Sequence, residues 1–169
     1  KNLLVKRPYS IDTWDFTSEP DSLTGVERLV YHIGNLPETP KGIMHGDNTG
    51  MFRACRQLSE MFSAIGQPEA SREWDLQGDL FLHRTNTLCW NGKYYAHFIP
   101  EDPVPGHIKT DPVNSVGLSN TYSMNRGAAT PEMAASIIET YREIGEKMSK
   151  HSLAPWYGIY PFIEPHFGK

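Results

Sequence analysis

The residues Leu80–Ile99, LFLHRTNTLCWNGKYYAHFI, carry the turn signal on which the fold reading hangs. Two runs of strand-like composition meet at Asn91-Gly92, a pair that accepts the positive φ angles of a tight hairpin turn. With a two-residue turn, Trp90 faces Lys93, Leu88 faces Tyr95 and Asn86 faces His97. Alternation then sorts the side chains onto two faces. One holds Phe81, His83, Thr85, Thr87, Cys89, Tyr94, Ala96 and Phe98. The other holds Leu82, Arg84, Asn86, Leu88, Trp90, Tyr95, His97 and Ile99. The second face mixes aromatics with Arg, Asn and His, which suits either a bound ligand or a wet outer surface.

Working outward, the segment before the hairpin predicts a helix. Met51, Phe52, Cys55, Leu58, Met61, Phe62 and Ile65 recur three and four apart and form one expected buried stripe. Asp47 or Asn48 is placed to cap its start, and Gly66 with Pro68 to end it. After the hairpin, residues 100–127 hold Pro100, Pro103, Pro105 and Pro112 and read as a long loop, with a short edge strand expected over Val116–Met124. Thr130 then predicts a helix cap, with Pro131 at the first helical position and Glu132 at the positive end of the dipole. The stripe of this helix is Met133, Ala134, Ile137, Ile138, Tyr141, Ile144 and Met148. Arg28–Ile33 and Pro155–Glu164 read as the first and last strands, and residues 1–27 as an irregular arm packing through Tyr9, Trp14 and Phe16.

The order strand, helix, strand, strand, helix, strand predicts an α+β domain over residues 28–169. Its architecture is the ferredoxin-like split βαβ, a four-stranded antiparallel sheet with two helices on one face. The helices are expected on the Phe81/Thr85/Cys89/Ala96/Phe98 face, which leaves Arg84, Asn86, Tyr95 and His97 open either to solvent or, as contacts, to a bound substrate.

Composition narrows the classes. A net charge of −4 and a pI near 6.0 give no electrostatic case for nucleic acid or an anionic membrane surface. No run of eighteen apolar residues is present, so no helical membrane span is expected. The two cysteines, Cys55 and Cys89, sit in apolar patterns and are expected to be buried thiols. The chain starts at Lys1 with no leader-like segment, and its ends suit either natural termini or a piece of a longer protein. His45-Gly46-Asp47 has the spacing of two ligands of a non-haem iron triad, but before a helix its Asp reads as a cap. The seven histidines show no pair at ligand spacing. Glycine-rich phosphate loops and the G-x-S-x-G elbow are absent from the sequence.

The ending Glu164-Pro165-His166-Phe167-Gly168-Lys169 resembles the Pro-His-Trp-Gly-Lys signature of sugar-lactone and alditol oxidases. These are FAD-dependent oxidoreductases of the vanillyl-alcohol-oxidase type, and Phe167 stands here where they have Trp. The resemblance implies a substrate-binding cap portion that oxidises a hydroxylated small molecule, with FAD held mainly by a part of the parent chain not present here. It implies His166 as base toward a substrate hydroxyl, Lys169 as a cation beside the flavin and Glu164 as a polar contact. The competing expectation is a stand-alone dimeric α+β barrel module that binds a small apolar ligand or a protein partner.

Overall fold

The computed structural model describes residues 3–8, 41–103, 111 and 113–147. Among these, three short strands are β1 (Arg7–Pro8), β2 (Lys41–Met44) and β3 (Phe98–Pro100). Four helices are α1 (His45–Ala64), α2 (Pro68–Cys89), α3 (Ser119–Asn125) and α4 (Pro131–Lys147). The strands form one antiparallel sheet in the order β1-β2-β3. The described region is mostly helical, so the ferredoxin-like split βαβ with its four-stranded sheet is overturned.

The correction falls on the stretch that opened the reading. Residues 80–89 are the last turns of α2, not a strand. Pro68 at its start and Glu69 in the first turn are ordinary helix-opening residues. Trp74, Gly78, Phe81, Thr85 and Cys89 follow at helical spacing and face inward, with Gly78, Thr85 and Cys89 buried. The Asn91-Gly92 turn is present, but it joins a helix to an extended segment. Gly92 has φ of +96°, and the Asn91 side-chain oxygen accepts the Lys93 and Tyr94 amides at 3.0 and 2.9 Å. The bridge it closes is Trp90 with Tyr95, not Trp90 with Lys93.

Helices α1 and α2 form an antiparallel hairpin. Gly66, at φ +75°, gives its amide to Ser63 O (3.0 Å), and the Gln67 amide goes to Phe62 O (2.9 Å). These are the two bonds of a glycine-ended helix C-terminus. Across the hairpin, Ser59 bonds Ser71 at 2.9 Å, and Arg56 reaches Asp75 at 2.8 Å and Asp79 at 2.5 Å. The axes come close where Gly78 lies over Cys55; an added Cβ there would stand 3.4 Å from Cys55 Cβ.

The remaining expectations divide. The helix over 131–147 is present, and the Thr130 hydroxyl accepts the Met133 amide at 3.2 Å. Val116–Met124 is not an edge strand, because Ser119–Asn125 is helical. Neither Asp47 nor Asn48 caps α1, which starts earlier at His45 with no side-chain cap bond. Asp47 instead faces Arg7, 3.4 Å away, and Asn48 bonds β1's approach. Cys55 and Cys89 are buried free thiols, and burial pushes Cys89 up to about 12. The expected strands 28–33 and 155–164, and the arm residues Tyr9, Trp14 and Phe16, lie outside the described residues.

The core groups Leu4, Ile43, Cys89, Tyr95 and Ile137, with Phe81, Trp90, Ile99, Met124 and Tyr141 against it. Elements far apart in sequence meet there, and Tyr95 is its largest wholly buried side chain.

Candidate functional site

Two regions stand out: a polar interior beneath the sheet, and an apolar side of α1 left open.

The polar interior is organised by two asparagines. Asn48 on α1 accepts the Val5 amide at 2.7 Å and donates to Val5 O at 3.0 Å and Met44 O at 2.9 Å. Asn120 on α3 does the same to Tyr95, accepting its amide at 2.8 Å and donating to its carbonyl at 3.0 Å. Each amide imitates a strand neighbour and satisfies both backbone groups of a residue that has no strand on that side among the described residues. Arg126 adds a third tie, donating to Gly46 O at 2.6 Å and Thr49 Oγ1 at 3.2 Å.

Between these clasps lie His45 and His97, 0 % and 3 % exposed. The His45 ring stacks on Tyr95 at 5.2 Å and meets the His97 ring edge-on at 6.5 Å. His45 Nδ1 lies 2.8 Å from Ala96 O and must be its proton donor, which leaves Nε2 as the unprotonated nitrogen of the neutral ring. His45 Nε2, Ser119 Oγ and Thr85 Oγ1 are buried with no hydrogen-bond partner among the described residues. Burial lowers His45 to about 4, and Arg126 pushes the same way. His97 is lowered to about 3 by burial first, then by His45 and Arg7. Gly117 makes room for His97, since a Cβ there would sit 2.5 Å from its Nδ1. Neutral imidazoles closed off from solvent do not exchange protons with a dissolved substrate. They are packing and hydrogen-bonding groups here.

The substrate face expected from Arg84, Asn86, Tyr95 and His97 does not form. Arg84 and Asn86 sit two residues apart on a helix and point in nearly opposite directions. Asn86 and Tyr95 do meet: the tyrosine hydroxyl donates to Asn86 Oδ1 at 2.7 Å and lies 3.1 Å from Ala128 O. His97 joins them in the interior, while Arg84 lies half-buried on α2. Glu164, His166 and Lys169, the residues expected beside a flavin, lie outside the described residues. His45 and Asn48 were read only as a possible metal ligand and a helix cap, and Asn120 and Arg126 not at all, because the partners that give them their interior roles lie far along the chain. The one available hint was a cluster of Asn, Thr and Ser at both 48–49 and 119–123 inside helical stretches.

The open side of α1 comes from the stripe expected to be wholly buried. Phe52 and Cys55 are buried, and Gly78 of α2 lies over Cys55. Leu58 and Phe62 are half-buried, and Met51, Met61 and Ile65 are 37, 64 and 66 % exposed. Met51, Ala54, Leu58, Met61 and Ile65 are spaced 3, 4, 3 and 4 apart, an a/d seam of two heptads. Helix α2 covers the side of α1 that holds Cys55 and Ser59, and α3 reaches the side that holds Gly46 and Thr49. The seam lies on the third side. It extends about 21 Å at 1.5 Å per residue.

Among the described residues no group of three His, Cys, Asp or Glu comes together as metal ligands, and no helix is long and apolar enough to cross a membrane. Neither a family profile nor a curated protein matches this sequence.

Proposed function

We propose that this chain is a protein-assembly module that pairs with a second copy of itself through the open side of α1. The supporting observation is the seam on a helix already held rigid by α2. A helix fixed in place loses little entropy on docking, and burying each Met or Ile side chain contributes about 1.5–3 kcal/mol. The spacing favours a like partner. With half-buried Phe62, which borders the seam, in place of Met61, the set Met51, Ala54, Leu58, Phe62 and Ile65 is separated by 3, 4, 4 and 3 residues, a pattern that is the same in both directions. Two antiparallel copies related by a two-fold axis at Leu58 bring Met51 against Ile65 and Ala54 against Phe62, a self-complementary surface.

The double variant Met61→Glu/Ile65→Glu tests this reading. Both side chains are largely exposed in one copy, so the monomer should keep its helical circular dichroism and melting temperature. Sedimentation velocity should show a dimer for the wild type at micromolar concentration and a monomer for the variant. A monomeric wild type contradicts the proposal.

A second reading, favoured by residues 164–169, is the substrate-binding portion of an FAD-dependent oxidoreductase acting on a hydroxylated small molecule. In it His166 serves as base and Lys169 stabilises the reduced flavin. It no longer draws support from a cap-like sheet, nor from a shared face of Arg84, Asn86, Tyr95 and His97. Flavin absorbance in the purified native protein supports it, and a colourless protein that takes up no added FAD removes it.

A further inference from the structure

We infer that Asn91-Gly92 is a site of spontaneous covalent modification, where conversion to isoaspartate loosens the joint between α2 and the extended segment 95–100. The pair lies at an exposed turn. The Gly92 main-chain nitrogen attacks the Asn91 side-chain carbonyl. A bond from that nitrogen to Cγ forms, the Cγ–Nδ2 bond breaks, and Nδ2 leaves as ammonia. Solvent water then opens the five-membered imide on either side of the nitrogen. Cleavage at Cγ gives aspartate. Cleavage at the Asn91 main-chain carbonyl gives isoaspartate, whose backbone runs through Cβ and Cγ. Only water is consumed, and nothing is oxidised or reduced.

The structure selects this asparagine over the others it describes. Attack is easiest from an amide that is not hydrogen-bonded and has no side chain beside it. Gly92 has φ of +96° and nothing within 4 Å of an added Cβ, and no group among the described residues accepts its amide. Asn48 and Asn120 are buried. The amides of Thr49 and Thr87, which follow Asn48 and Asn86, lie inside α1 and α2. Those of Thr121 and Arg126, which follow Asn120 and Asn125, donate to Leu118 O and Tyr122 O, each at 2.9 Å. Asn114 is the nearest competitor. It is exposed, but the next residue, Ser115, is buried, and Asp111 Oδ2 holds the Asn114 side-chain nitrogen at 2.6 Å.

The fold sets the rate as well as the place. Asn91 Oδ1 accepts the Lys93 and Tyr94 amides at 3.0 and 2.9 Å. Closing the imide ring rotates the Asn91 side chain, and these bonds oppose that rotation. The folded chain therefore converts more slowly than the same sequence free in solution. The two products differ in what they leave behind. In aspartate a carboxylate oxygen replaces Oδ1 and keeps both amides. In isoaspartate Oδ1 belongs to the main chain, which is one carbon longer. The Asn91 amide donates to Tyr94 O at 3.1 Å, Trp90 bridges Tyr95, and the Ala96 amide donates to Cys89 O at 2.8 Å. Each of these closures spans the turn, so the extra carbon falls inside every one.

Incubation of the wild-type chain in mildly alkaline buffer tests the site, read by peptide mapping in a mass spectrometer with enzymatic methyl labelling of isoaspartate. Asn91 should convert about ten-fold faster, or more, than any other described asparagine, because their amides are withheld from intramolecular attack. It should convert more slowly than in a synthetic Thr85–Lys93 peptide. The converted chain carries one more negative charge, so anion exchange separates it from fresh protein. In residue-resolved hydrogen exchange, the isoaspartyl fraction should lose about ten-fold protection at Tyr94 and Ala96, the loss of roughly one net hydrogen bond. Asn91→Asp, which has the charge without the longer backbone, should exchange like fresh protein. Earlier conversion at another described asparagine, a folded rate equal to that of the peptide, or equal exchange in the isoaspartyl fraction and Asn91→Asp would overturn the proposal.

Discussion

Replacing Tyr95 by alanine should lower the unfolding free energy by about 4 kcal/mol, the cost of removing a large aromatic from a packed core. Tyr95 is fully buried and reaches three of the helices. Its ring stacks on His45 of α1 and meets Trp90 at 71°, with centroids 5.2 Å apart in both cases. Its hydroxyl bonds Asn86 of α2, and its backbone is held by Asn120 of α3. Alanine leaves a cavity among these groups and strands the Asn86 oxygen without its donor. Tyr95→Phe keeps the ring and loses only the hydroxyl, so it should cost about 1 kcal/mol. Urea unfolding of the two variants separates packing from hydrogen bonding. Equal losses would mean that the hydroxyl, and not the ring, holds the layers together.

The second large effect is expected at Gly42. A Cβ there would lie 2.3 Å from Phe98 Cε1 and 2.4 Å from Ile99 O. The phenyl ring is wholly buried, and the carbonyl belongs to the neighbouring strand, paired with β2 in the register Gly42 to Pro100. Neither can retreat without parting β2 from β3. Gly42→Ala should therefore cost about 3 kcal/mol, the upper part of the ordinary range for overpacking. Gly145 supplies the contrast. It lies exposed in α4 with nothing within 4 Å of an added Cβ. Gly145→Ala should gain about 0.5–1 kcal/mol from helix propensity. Thermal melts of the two variants should move in opposite directions.

The parts of the fold that were legible in the sequence are those whose signals are local. Helix α1 was visible in its three-and-four spacing and in Gly66, and α4 in Thr130-Pro131-Glu132. Helix α2 was not, because two signals competed over residues 80–92. Thr85, Thr87, Cys89 and Trp90 have strand-like composition, and Asn91-Gly92 is a strong turn. The inward row Trp74, Gly78, Phe81, Thr85 and Cys89 carried the helical period, and packing of α2 on α1 decided for it. The Asn-Gly pair specified a turn correctly and said nothing about what leads into it. The polar interior was hidden for a different reason. Asn48 pairs with Val5 and Asn120 with Tyr95, contacts that follow only from the complete fold. The α1 stripe was read correctly as apolar. How much of it the hairpin covers depends on the rotation of α1 against α2, which spacing alone does not set.

The assembly proposal places a two-fold axis at Leu58, and a cysteine there reads that geometry directly. Cys55 and Cys89 are buried and do not compete. Mild oxidation of Leu58→Cys should yield a disulfide-linked dimer, because the two sulfurs meet across the axis at bridging distance. Gln57→Cys, turned away from the seam, should form no disulfide-linked dimer under the same conditions. No cross-link from Leu58→Cys, or equal yields from the two positions, would contradict the pairing.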